Sequence, residues 1–422
     1  MEEKNLQGRK TKGMLALGAA LLLMGLPASA LAAEQPAAAA PVSPADPASP
    51  VNLVNPRVKT LAGEQVEGAQ SAKAAHYPAF ALHGNVRAFY ADARVRLPGV
   101  RTRINAYTAN RRLQLYPSVQ LSPEWKLTGM LEDNRYDRQY GANDHREDNH
   151  LYLDRLYVTH ETSHGTRLIV GRDNIWPIEG NVLDLIVEGV HYGFGDASCE
   201  GRVDLFAGRT VGYASRVNAE RKNGVVLSYD RKTGPWEGAL LYYGFHRDDD
   251  PVGMPSLTDF NTVKTWQKTL DEQHVGELYL GYHFDRHVSL ELEGLYGHGE
   301  AKRAGFFPAW GDTRTGYVAT LRLRQQPLDL LKVGDYGLWV SYYQMPRVTY
   351  VYPTIDPDVT VFGRDGFRGV GTRLDVVAGP GLLLQVMYYD LRNRDENVSL
   401  LGMRPFAHAS ERLLGVLIRQ FW

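Results

Sequence analysis

The chain has a single cysteine, Cys199, in 422 residues. One cysteine excludes an internal disulfide framework. Beyond residue 33 there is no run of about 18 apolar residues, so no segment reads as a transmembrane helix. Charge of neither sign prevails. Lys and Arg number 47 and Asp and Glu 48, for a formal net charge of −1, which argues against a nucleic-acid partner. The sequence has no G-x-S-x-G, no Walker loop and no Cys/His metal cluster. It therefore points to no catalytic activity and to no cofactor.

What is present begins with an export signal. Lys4, Arg9, Lys10 and Lys12 precede the apolar run MLALGAALLLMGL, and PASALAA supplies small residues in an A-x-A pattern. This predicts a signal peptide over 1–33. The Ala/Pro/Ser-rich stretch that follows cannot bury a core, and 34–78 reads as a periplasmic linker.

From residue 79 to 422 the texture is uniform. Short segments alternate apolar and polar residues, and the chain is rich in Tyr (24) and Gly (42). In ELYLGYHF, Leu278, Leu280, Tyr282 and Phe284 alternate with Glu277, Tyr279 and His283. RRLQLYPSVQL, WKLTGML, VSLELEGLY and YVATLRLR behave alike. These are half-apolar strands. A soluble sandwich or barrel would turn the apolar face inward, and a membrane barrel would turn it toward lipid around a polar lumen. The connections favour the second. Short ones (122–124, 163–165, 195–198, 233–235, 285–287, 379–381) alternate with long polar ones (138–149, 173–186, 248–273, 299–314, 346–366, 393–410). Short turns on one rim and long loops on the other are the pattern of outer-membrane barrels. The prediction is an all-β fold: a transmembrane antiparallel barrel of about 16 strands with short periplasmic turns and long extracellular loops. The final segment ERLLGVLIRQFW then closes the barrel against the first strand, with Trp422 in an aromatic girdle.

If the apolar faces meet lipid, the alternate charges must line the lumen, because a charge at mid-membrane costs roughly 2–4 kcal/mol. The predicted lining is Arg87, Arg112, Gln114, Lys126, Glu132, Arg202, Asp204, Glu277, His283, Glu291, Glu293, Arg322, Arg324, Arg373, Asp375 and Arg419. Opposed acidic and basic rows would set a transverse field across the pore. Alternatively, these charges pair with one another and stiffen the wall.

Together, the signal peptide, the terminal aromatic, the turn–loop alternation and TRLIVGRDNIWPIEGNVLDL resemble the general diffusion porins of Gram-negative outer membranes. The family's terminal signal usually has an apolar residue where Gln420 stands, and Phe more often than Trp422. The resemblance implies passive diffusion of small hydrophilic solutes and ions, without enzymatic activity. It also implies a homotrimer, outer-membrane lipid and lipopolysaccharide as surroundings, and barrel-assembly machinery that reads Phe421 and Trp422. In that family the third long loop folds into the lumen. Here that is 173–186, with Arg172, Asp173, Glu179 and Asp184 as its charges. Acidic residues there predict a mild cation preference.

Other motifs carry less. HETSH (160–164) matches H-E-x-x-H, but it lies between β-branched runs, and a strand would hold the two histidines about 13 Å apart. It reads as a turn. HRDDDP (246–251) reads as a solvated loop. Alternatives to a diffusion porin are a sugar- or anion-selective channel, for which Tyr279 would be one aromatic rung, a barrel hydrolase, and a structural envelope protein.

Overall fold

The computed structural model describes residues 77–96, 104–140, 143–163, 165–196, 201–211, 222–247, 270–285, 287–301, 310–323, 328–351, 366–394 and 410–422. The predicted signal peptide and nearly all of the predicted linker lie outside these residues.

Period-two alternation carries every strand. In chain order they are β1 (Ala79–Arg96), β2 (Ile104–Gln120), β3 (Trp125–Tyr140), β4 (Asn143–Glu161), β5 (Arg167–Ile175), β6 (Leu185–Asp196), β7 (Gly201–Thr210) and β8 (Lys222–Thr233). Then come β9 (Trp236–Arg247), β10 (Glu272–His283), β11 (Val288–Ala301), β12 (Trp310–Leu323), β13 (Tyr336–Met345), β14 (Phe367–Gly379), β15 (Leu382–Asn393) and β16 (Ser410–Phe421). Each pairs antiparallel with its neighbours in sequence, and β16 pairs with β1, so the sheet is a closed barrel. The closing seam runs in unbroken register from Asn85↔Phe421 to Arg96↔Ser410. It is completed by two reciprocal backbone hydrogen bonds of 3.1 Å between Gly84 and Trp422. A Cβ on Gly84 would lie 2.6 Å from the Trp422 ring, so glycine is what lets the indole lie across the first strand. Closure leaves no open strand edge at this seam.

The apolar faces point outward. Leu240, Leu278, Leu280, Leu292 and Leu414 are all 45–61 % exposed, while their strand neighbours Leu241, Glu277, Tyr279, Glu293 and Leu413 are buried. Phe80, Trp125, Phe194, Trp236, Phe284, Tyr336 and Trp422 ring the short-turn rim as exposed aromatics. On β1 the outward stretch from Phe80 to Tyr90 covers ~10 residue steps, about 25 Å along the barrel axis for a strand tilted about 40°. That is the height of a transmembrane barrel's apolar band.

Two connections differ from expectation. The predicted loop 138–149 is largely strand: β3 and β4 stay paired out to Tyr140↔Asn143, with β2 alongside to Ala106↔Tyr140, while β5 pairs with β4 only as far as Leu156↔Arg172. Its alternation is polar on both faces, which hides a strand that stands in water. Conversely, the predicted outer loop 346–366 begins by folding into the barrel, as described below.

Candidate functional site

The inner wall carries most of the predicted charges. Arg87, Arg112, Lys126, Glu132, Arg202, Asp204, Glu277, His283, Glu291, Glu293, Arg322, Arg373, Asp375 and Arg419 all alternate with outward residues and project inward. Arg324 lies outside the described residues. Many of these charges pair along the wall. Arg202 and His191 hold Asp204, at 2.9 and 3.0 Å. Arg373 and Gln385 hold Asp375, at 2.9 and 2.6 Å. Glu132 takes hydrogen bonds from Gln114 and Tyr152, both at 2.7 Å, with Arg112 at 3.4 Å. Wall stiffening is thus one role these charges perform.

One row is of a single sign. Arg419, Arg87 and Arg112 are directly opposite one another across β16, β1 and β2. Trp339, which the sequence reading missed, adds an aromatic surface to the inner wall. It lies between Arg322 and Arg373, whose guanidinium carbons are 5.1 and 4.2 Å from its ring centroid. The alternation in YGLWVSYY places Trp339 on the same face as Ser341 and Tyr343 and was the available signal.

The connection between β5 and β6 enters the lumen. Its turn is closed by the Gly180 amide donating to the Pro177 carbonyl at 3.0 Å, with Gly180 at φ 72°. Ile178 holds φ 56°, a conformation strained for a β-branched residue. Tertiary contacts hold it there. Ile178, Val182 and Leu183 are buried in an apolar cluster with inward side chains of β6–β16 and β1, including Leu241, Tyr243, Val275, Leu295, Leu413 and Ala91. Asn181 donates to both carboxylate oxygens of Glu293, at 2.8 and 3.1 Å. Glu179 pairs with Arg322 at 2.5 Å, and Arg322 also holds Glu291 at 2.7 Å. The connection therefore spans from β5 and β6 to β11 and β12.

Its predicted charges divide. Asp173 belongs to β5 and is buried, 3.8 Å from Arg155. A bulge in β4 turns both Asp154 and Arg155 inward, where strict alternation would separate them. Asp184 accepts from Asn174 at 3.1 Å. Arg172 corrects the sequence reading. It shares the face of Leu168 and Val170, so period two carries it outside, where it and Arg209 hold Glu188 at 2.7 and 2.6 Å. Asp173 and Glu179 thus lie against arginines, while the Asn174 amide that holds Asp184 is neutral.

A second segment lies inside the barrel. After β13, Pro346 turns the chain inward, and residues 347–351 are buried, with a single 3-10 turn at Arg347–Thr349. Gln273 on β10 donates to the carbonyls of Val348 and Tyr350, at 3.1 and 2.8 Å, and takes a 2.8 Å hydrogen bond from Lys222. Gly297 and Gly316 give the room. A Cβ at either would approach the Val348 or Gln344 carbonyl oxygen to 2.3 or 2.7 Å. The Val351 amide donates to the Val182 carbonyl at 2.8 Å, joining the two inward segments. Both are hydrogen-bonded or ion-paired to the β10–β12 wall, and the arginine row is on β16, β1 and β2.

HETSH falls at the β4–β5 turn, where the Gly165 amide donates to Thr162 at 3.1 Å. His160 stacks on Trp125 at 4.4 Å and meets Glu124 at 3.2 Å. His164 lies outside the described residues. At the terminus, Phe421 faces inward with Arg419 5.6 Å above its ring, and Trp422 faces outward.

No family model matches the sequence, and no curated protein does. Among solved structures, the chain is similar to OmpF of Salmonella typhi in complex with daunomycin, at 10 % identity and a TM-score of 0.47, covering 81 % of this chain and 98 % of that one. It is similar to an anion-selective porin from Comamonas acidovorans, at 15 % identity and 0.45, covering 82 % and 99 %. It is also similar to OmpT from the outer membrane of Vibrio cholerae, at 11 % identity and 0.48, covering 82 % and 99 %.

Proposed function

We propose that this protein is an outer-membrane porin that lets small hydrophilic solutes and ions diffuse passively. One observation carries the reading: a closed barrel with an apolar belt outside, a charged wall inside, and a connection folded into the lumen to narrow it. An apolar exterior of membrane height is stable only in lipid, and a charged interior serves only if water fills it. Specificity then comes from pore width and lining charge. Arg419, Arg87 and Arg112 form a row of one sign on the inner wall, and from this row the channel is expected to favour anions. Asp173, Glu179 and Asp184 position the constriction rather than set its sign. The protein acts without catalysis, assembles as a homotrimer among lipopolysaccharide, and presents Phe421 and Trp422 to the barrel-assembly machinery.

Swelling of liposomes that contain the purified protein tests the diffusion reading. Entry of neutral sugars should slow with solute size and be equal for isomers of one size. Saturable entry of one isomer would instead favour a substrate-selective channel, with Trp339 between its two arginines as the first place to look.

A further inference from the structure

We propose that the outer face of the barrel, at the long-connection ends of β10 and β11, is a site for a divalent transition metal such as zinc, held by His274, His298 and Glu300. Cross-strand register makes the site. His274 lies directly opposite His298, and Glu272 directly opposite Glu300. His246 on β9 lies directly opposite Glu272. Strand parity turns all five outward, since their neighbours Phe245, Gln273, Val275, Gly297 and Gly299 are buried inward. Three imidazoles and two carboxylates thus share one face of three adjacent strands. Opposite residues on a sheet face have Cβ atoms about 5 Å apart, close enough for their side chains to share one ion.

The two facing imidazoles are held as metal ligands are. A ligating histidine gives one ring nitrogen to the metal and the other to a hydrogen bond that fixes the ring. The Tyr242 hydroxyl is 2.8 Å from His274 Nδ1, and the Thr313 hydroxyl is 2.8 Å from His298 Nδ1. On His274 this leaves Nε2 for the ion. On His298, Nε2 faces Glu300 Oε1 at 3.2 Å. With bonds of about 2.05 Å, two ligands of one tetrahedral zinc stand about 3.3 Å apart. His298 and Glu300 are therefore already at ligand spacing. A hydroxyl both donates and accepts, so when metal takes Nε2 the ring proton moves to Nδ1 and stays hydrogen-bonded. Gly244 leaves room for the Tyr242 contact, because a Cβ there would lie 3.0 Å from the Tyr242 hydroxyl.

Charge points the same way. Like charges directly opposite on one sheet face repel, and Glu272 and Glu300 are such a pair. Each leans on an imidazole, Glu272 3.9 Å from His246 and Glu300 3.2 Å from His298. A divalent ion between the strands relieves the repulsion. Imidazole with carboxylate suits zinc, copper or nickel, whereas magnesium and calcium take oxygen ligands. Tyr242 and Tyr296, the next outward residue below His298, are exposed aromatics at the upper edge of the apolar belt. The site above them meets water, and metal reaches it from the medium. Among the described residues no three such groups already converge on one point, so the ion draws the exposed His274 ring onto the His298–Glu300 pair. A site that is open to water and closes only on its ion exchanges that ion readily, so protein purified without added metal carries none. The inference does not rest on conduction, because its readout is metal binding.

The test uses the full-length protein purified in detergent with a chelator and then dialysed free of it. Zinc chloride is the probe. Bound zinc is measured by equilibrium dialysis, and barrel closure by heat-modifiable gel mobility. Wild type should bind one zinc per barrel, reversibly, and a large excess of magnesium should not displace it. H274A and H298A should each abolish stoichiometric binding. Y242F leaves every ligand in place and should still weaken binding at least tenfold, because it removes the hydrogen bond that fixes the His274 ring. H160A/H164A should bind as wild type does. If an alanine variant does not close, H274Q and H298Q are compared instead. Wild type that binds no zinc overturns the proposal, as does a closed H274A or H298A barrel with wild-type affinity. So does displacement by magnesium, which would make the site one of carboxylates alone, or loss of binding in H160A/H164A, which would place the metal at the β4–β5 turn.

Discussion

Replacing Arg87, Arg112 and Arg419 together by glutamine should remove the anion preference. The three lie in one cross-strand row over β16, β1 and β2. A chloride ion passing at about 7 Å gains roughly 0.6 kcal/mol from each unit charge in water. Screening over a Debye length of about 8 Å cuts that by somewhat more than half. Arg112 counts for less, because Glu132 is 3.4 Å away. The sum is about 0.6 kcal/mol, near RT, so anions are enriched about threefold and cations depleted by a similar factor. A tenfold potassium chloride gradient across a planar bilayer then gives a reversal potential of tens of millivolts on the anion side. The triple variant should move it close to zero, and Glu179→Gln should move it little, since Glu179 is held by Arg322. A triple variant with the wild-type reversal potential would refute the assignment of the row to the conducting throat.

Other expectations concern the architecture. Gly297→Val places side-chain carbon where the Val348 carbonyl oxygen is 2.3 Å from a Cβ, so it should dislodge the second inward segment and raise single-channel conductance. Asn181→Leu leaves Glu293 without its two amide hydrogen bonds and should increase current noise as the first segment loosens, measured in the same bilayers. Gly84→Leu would meet the Trp422 ring at 2.6 Å and should lower the fraction of heat-modifiable, closed barrel, as should deletion of Phe421 and Trp422. Zinc analysis of purified protein should find no stoichiometric metal, and H160A/H164A should leave the barrel unchanged.

The barrel was legible because period two is a strong signal when one face meets an apolar surround. For the same reason the expected sixteen strands are present and the last closes on the first. The β3–β4 hairpin was not legible, since its outer part alternates polar with polar. Inward direction followed from parity for Arg87 and Glu293. At Arg172 a loop was assumed where the strand continues and parity turns the side chain outward, and at Asp154 and Arg155 a bulge shifts the phase. Within 173–186 the apolar residues Ile175, Ile178, Val182, Leu183 and Leu185 are all buried. Residues 346–351 gave less warning, because what admits them is space over Gly297 and Gly316 on two other strands, a fact of three-dimensional register.

The central claim is conduction through a lumen narrowed by two inward segments. Single-channel recording of the purified, heat-modifiable protein in planar bilayers tests it most directly. The account predicts discrete conductance steps, an anion-leaning reversal potential, and larger steps from Gly297→Val. A closed barrel that inserts and yields no steps, in wild type and variant alike, would contradict it.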